Sequence, residues 1–215
     1  MIEIFKSGGI MMYPLLLASI IGLTIIIERL WNLRQKRILV PEIIAVLDKI
    51  NEMENFSLVR SVCEKFAGPF SQIAMSCIDN RDLPQEELRI LIEDEGRQQV
   101  RSLNRGLGII ETIAGIAPLM GLLGTVLGMI KVFDIIQTLG VGQARALSGG
   151  ISEALITTAA GLMIGIPALI FYNYLSSRSE SLILDIEKYT VLLLNKIVRL
   201  NHKTEAKTEI NFRAK

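Results

Sequence analysis

The chain has 215 residues, half of them hydrophobic, and its 23 Lys and Arg against 22 Asp and Glu leave a formal net charge of +1. A mean hydropathy of +0.43 is too apolar for an ordinary soluble domain unless charged and oily residues are segregated, as they are here. The near-neutral balance, with no Lys/Arg run interleaved with aromatics, argues against nucleic acid as a partner.

Residues 8–27 are the first of three nearly charge-free stretches, the others being 107–130 and 154–174. Each is about as long as the ~20 residues that cross a bilayer core as a helix. Three together predict an all-α, polytopic membrane protein. The first stretch lacks a basic n-region and a small-x-small cleavage site, and Glu28, Arg29 and Trp31 follow it directly. It is therefore expected to be a retained membrane helix over 8–30, with Trp31 as an interfacial anchor.

Residues 31–105 form the long connection to the second span and carry helical signals. Apolar and charged residues alternate at helical spacing over 42–49 and 57–78, with Pro41 and the Gly68-Pro69 pair as punctuation. Cys63 and Cys77 match no zinc or redox spacing, and the sole histidine, His202, lies far away. They are expected to be small structural residues, with no metal and no cofactor implied. Asp82-Leu83-Pro84-Gln85-Glu86 has the form of a helix start. From there a single helix is expected over about 84–133, passing Gly96 and running straight into the second span, 106–133.

In that span Pro118, Gly121, Thr125 and Gly128 fall at intervals of three, four and three. Small residues on one face let helices approach closely, and a threonine there can bond across the interface or back to its own helix. Glu111, near the start of the span, either snorkels or pairs with Arg105, or else marks an ion exit. A connection over 134–150 leads to the third span, 151–175. Glu153 stands at its lip, where a carboxylate is costly and is a functional-site hypothesis by default. It is either the cap of a helix start, with Ser148 or Ser152 as the N-cap, or part of a polar stripe with Thr157 and Thr158. Gly161 and Gly165 offer a second close-packing surface, and Pro167 should bend the helix or free a carbonyl.

Beyond the third span Leu182, Ile186, Tyr189, Leu193 and Ile197 form an apolar stripe. It suits either the chain's own connecting helices or a neighbouring subunit, on a helix over 176–202. The polar residues 203–215 are expected to form a disordered tail. Positive charge next to the spans clusters on one side, with twelve Lys and Arg in residues 28–106 and eight after residue 176, against one and two elsewhere. The N-terminus is thus expected outside, and the long connection and C-terminus in the cytoplasm. No central Asp, Lys or His stands in any span, and no nucleotide loop, hydrolytic triad or metal cluster is present in the sequence. An enzyme is not expected, and a passive membrane scaffold stands beside an ion channel as the simplest alternative.

The phrases Ala117-Pro-Leu-Met-Gly-Leu-Leu-Gly-Thr-Val-Leu-Gly-Met129 and Gly150-Ile-Ser-Glu-Ala-Leu-Ile-Thr-Thr-Ala-Ala-Gly-Leu162, followed by Ile166-Pro-Ala and Tyr172-Asn, resemble the MotA/TolQ/ExbB proton-channel family. The likeness covers roughly residues 8–197, and the three-span layout looks most like the ExbB branch, with TolQ close behind. The resemblance implies a homopentamer in a bacterial inner membrane around an ExbD-type single-span partner that carries the titratable Asp. The complex would use proton motive force to act on a TonB-like protein. By resemblance the pore threonines fall on Thr125 and Thr158 and the motif glutamate on Glu153. Ideal helix geometry instead places Thr157, about 40° away, on the face of Glu153, and Thr158 about 140° away.

Overall fold

The computed structural model describes residues 7–39, 41–49, 56–66, 68–140 and 144–213. Among these residues every regular element is a helix: α1 Met12–Asn32, α2 Gln35–Ile38, α3 Pro41–Lys49, α4 Phe56–Lys65, α5 Pro69–Asp79, α6 Gln85–Asn104, α7 Leu107–Leu139 and α8 Ala144–Arg213. The expected all-α class with three membrane-length helices is the one observed, since α1, α7 and α8 each carry a stretch long and apolar enough to span a bilayer.

The boundaries follow local chemistry. A turn at Gly9, whose φ of +68° favours glycine, leads into α1 with the Met12 amide donating to the Gly9 carbonyl. Pro84 precedes α6, whose first turn carries Glu86 and Glu87, where acids favour a helix start. Gly140, φ +76°, closes α7 by returning its amide to the Ile136 carbonyl at 3.0 Å, the usual glycine stop.

The single helix expected over about 84–133 is two helices. Gly106 has φ +81° and interrupts the chain between α6 and α7. Gly96, which the expected helix passes, does lie inside α6. The left-handed conformation costs an L-residue about 1–2 kcal/mol, so the break falls where the glycine is. At the other end of the hairpin, α7 and α8 extend well into the expected connection 134–150. Past residue 176, α8 continues as helix to Arg213 through a Lys-, Glu- and Ala-rich stretch of good helix formers. That covers most of the segment whose polarity suggests a disordered tail.

The chain divides into two compact units. One comprises α1, α7 and α8 up to Ser176. α7 packs antiparallel to both α1 and α8: Gly22 of α1 faces Ile113 of α7, while Gly121 and Gly161 bring α7 and α8 together. Outward it presents large apolar side chains, including Leu17, Leu119, Phe133, Met163 and Ile170, each half or more exposed. An apolar exterior over a core containing glycine and alanine is the arrangement a bilayer demands, because lipid removes any penalty for exposed Leu and Ile.

The second unit comprises α2–α6 with α8 from Ser177. Here the pattern is that of a water-soluble bundle, with Phe56, Phe70, Ile73, Cys77 and Leu88 of the short helices and Leu182, Leu193 and Ile197 of α8 all buried. The Phe70 and Tyr189 rings meet edge to face at 6.1 Å. The apolar stripe on α8 thus packs on the chain's own connecting helices, the first of its two expected uses. Cys63 and Cys77 are both free and buried. Burial pushes their thiols up to about 11, with help from nearby Glu64, and to about 12 respectively.

Candidate functional site

The α7–α8 seam sets the positions of the polar residues in the membrane unit. Going along α7, Ala117 and Gly121 face Gly161, Gly124 faces Thr157, and Gly128 faces Ala154 and the Gly150 carbonyl. A Cβ added at Gly161 would lie 2.6 Å from the Ala117 carbonyl oxygen, and one at Gly165 would lie 2.6 Å from the Pro118 ring. The two helices meet at backbone distance, a spacing only very small residues permit. Pro118, Gly121, Gly128, Gly161 and Gly165 therefore all stand in the seam. Gly124, absent from the expected set, joins them.

Thr125 stands beside the seam rather than in it. The residue is half-buried, and its hydroxyl donates in an exposed bond to the Leu122 carbonyl at 2.6 Å. Thr158, also half-buried, donates across the helix pair to the Gly121 carbonyl at 3.0 Å. That carbonyl is also the helical acceptor for the Thr125 amide, while the Thr125 hydroxyl is on the next carbonyl, that of Leu122. Thr157 does something else. It is 1% exposed, and its hydroxyl lies 2.7 Å from the Gly8 carbonyl and 2.8 Å from the Glu153 carbonyl. It ties the turn before α1 to α8.

Glu153 is not at a helix start. Ser148 and Ser152 are both inside α8, which begins at Ala144, so the capping reading fails on geometry. The carboxylate instead accepts from Lys131 Nζ of α7 at 2.5 Å, with the two side chains 23% and 54% exposed. Its other flank lies against Gly9, where a Cβ would overlap the carboxylate. Three elements thus converge on Glu153: the turn before α1, the far end of α7 and the early part of α8. Lys131 was legible as a charge but not as a partner, since 22 residues separate the two. The available signal was the antiparallel hairpin itself, which brings the end of one span beside the start of the next.

Glu111 lies at the opposite end of α7. It is exposed, and among the described residues of its own unit no ion pair involves it. Nearby, Gly106 packs against Ile25 and buried Arg29 of α1. No group of three or more potential metal ligands occurs among the described residues.

Residues 63–188 match the model of the MotA/TolQ/ExbB proton channel family. The chain belongs to the MotA/TolQ/ExbB proton channel family. Among its relatives, the protein named ExbB-like 1 of Synechocystis is 35% identical over 182 residues, covering 82% of this chain and 71% of the relative. An ExbB homolog of Methanothermobacter thermautotrophicus is 30% identical over 190 residues, covering 86% of this chain and 66% of the relative. The biopolymer transport protein ExbB of Aquifex aeolicus is 41% identical over 90 residues, covering 42% and 61%. The chain is an ExbB-like, multi-pass membrane protein of a proton-channel family, and the matched region includes Thr125, Glu153, Thr157 and Thr158.

Proposed function

We propose that this chain is the channel-forming subunit of a proton-driven motor. In this reading it sits in a bacterial inner membrane as a homopentamer, with the N-terminus periplasmic and the second unit cytoplasmic. The pentamer surrounds an ExbD-type single-span partner and delivers work to a TonB-like protein for outer-membrane transport. The observation that carries the proposal is the Thr158 hydroxyl on the Gly121 carbonyl and the Thr125 hydroxyl on the next carbonyl, that of Leu122. It is a polar point within an apolar helix pair whose spans hold no Asp, Lys or His of their own at that depth. Threonine hydroxyls relay protons through hydrogen bonds but do not titrate near neutral pH. A titratable group must come from another polypeptide, which is what an ExbD-type Asp supplies.

Glu153 lies at the outer mouth in this reading and draws cations towards the threonines, and Glu111 marks the cytoplasmic exit. A proton moving down the membrane potential releases roughly 2.3 kcal/mol per 100 mV, so repeated cycles are needed to do mechanical work. The deciding experiment is proton flux into vesicles holding the complex, with Thr125→Ala, Thr158→Val and Glu153→Ala variants. The expected result is intact assembly with flux abolished or strongly reduced. Undiminished flux in all three variants refutes the channel assignment, and loss of assembly alone favours a passive scaffold.

A further inference from the structure

The Lys131–Glu153 pair has a use that the channel reading leaves unassigned. Lys131 is the only ionisable residue between Glu111 and Asp134, and its ammonium reaches back along the helix pair to Glu153 Oε1. The place it reaches is rich in oxygen. Glu153 stands one helical turn before Thr157, whose hydroxyl lies within hydrogen-bond distance of the carbonyls of Gly8 and Glu153, and the Gly9 backbone lies against the carboxylate. Carboxylate, carbonyl and hydroxyl oxygens are the donors that a hard cation selects. Asp134 and Arg145 are the only other charged residues between Lys131 and Glu153.

We infer that Lys131 is a specificity-determining residue: its side chain is a tethered cation that fills the oxygen cluster around Glu153 and closes it to sodium. A metal ion arriving there has to lose water and displace an ammonium held in place by its own chain, a competitor at high effective concentration. A proton is not excluded in the same way. It travels by exchange along hydrogen bonds and needs no coordination shell. The inference deepens the channel reading by assigning ion selectivity to its outer mouth, and its importance for transport rests on that reading. The binding chemistry itself concerns this chain alone.

The test is sodium binding to the purified full-length chain in detergent micelles. It is measured by equilibrium dialysis with radiolabelled sodium, at an ionic strength held constant with N-methylglucamine chloride. Lys131→Gln should bind sodium saturably, at least about tenfold more tightly than the unaltered chain, while Lys131→Arg stays like the unaltered chain. Adding Glu153→Gln to Lys131→Gln should abolish the gain. The inference is overturned if Lys131→Gln binds no better than the unaltered chain, or if its binding survives the loss of Glu153.

Should Lys131→Gln fail to fold, Lys131→Cys can be modified with an ethylammonium or a hydroxyethyl methanethiosulfonate, since Cys63 and Cys77 are buried. Only the hydroxyethyl adduct should bind sodium, and equal binding by both adducts refutes the idea. Because no gradient or partner is involved, this outcome is independent of proton flux through Thr125 and Thr158.

Discussion

Replacing Gly161 by alanine should destabilise the membrane unit, whereas the same change at Gly96 should stabilise the second unit. At Gly161 the new methyl would lie 2.6 Å from the Ala117 carbonyl oxygen and 2.9 Å from Gly121 Cα. Reaching the 3.4 Å of ordinary contact requires a retreat of about 0.8 Å from the carbonyl. Both obstructing atoms are backbone, so α7 and α8 must move apart rather than one side chain swing away. Overpacking of this kind costs about 1–3 kcal/mol, against a gain of about 0.5–1 kcal/mol from replacing a helical glycine with alanine. The net loss is about 1 kcal/mol, and at most about 2.5 kcal/mol. At Gly96 a Cβ meets nothing within 4 Å, so only the gain of about 0.5–1 kcal/mol remains. The assay is loss of helicity on titrating SDS into mixed micelles, with hydrogen exchange on α7 and α8 to locate the effect. Equal midpoints for the two variants would refute the backbone-contact argument, as would a Gly161→Ala protein more stable than the parent.

Thr157→Val should cost about 1–2 kcal/mol, because it removes a buried donor and leaves a carbonyl without that partner. Hydrogen exchange should quicken in the turn before α1, which that hydroxyl helps hold. Gly106→Ala should destabilise by about 1–2 kcal/mol through its left-handed backbone, read from the same SDS midpoint. Arg60→Ala breaks an ion pair to Asp79 of 2.8 Å whose side chains are 51% and 38% exposed; the expected change is under about 1 kcal/mol, and it should vanish in high salt. For the two cysteines the folded state favours the neutral thiol, since burial raises each above its ordinary value of 9.0. Their stabilising contribution is complete below pH 9 and is lost as pH rises towards about 11–12. Stability should therefore fall between pH 9 and 11 less steeply in Cys77→Ala than in the parent, and maleimide should label the native chain far more slowly than the SDS-unfolded one.

The membrane layout was legible because it is written in composition: three apolar runs, glycines at helical spacing, and a helix start at Pro84. Helix phase was legible too, and it correctly joined Glu153 to Thr157 as neighbours one turn apart. What phase could not supply was each residue's partner on the facing helix. Thr157 turns towards Gly124 and Gly8, while Thr158 reaches Gly121, and only the pairing of α7 with α8 separates them. The break at Gly106 was missed because a glycine's φ depends on what the flanking helices must do, not on the glycine itself. Gly96 carries the same sequence signal and stays helical. Lys131 was missed for a related reason, since its partner is close in space and remote in sequence.

The hydroxyls of Thr158 and Thr125, on the successive carbonyls of Gly121 and Leu122, have a further property. A carbonyl oxygen can only accept, so Thr158 donates its single proton to Gly121, and Thr125 likewise donates its own to Leu122. What each oxygen retains is lone pairs. Each such oxygen can accept from a hydronium or from a carboxylic acid that still holds its proton, or face a bare cation. It offers nothing to an ionised carboxylate until a hydroxyl turns away from its own helix. The resting geometry is therefore polarised towards one charge state of whatever approaches it, and the rotation of a threonine side chain is the smallest movement that reverses the preference.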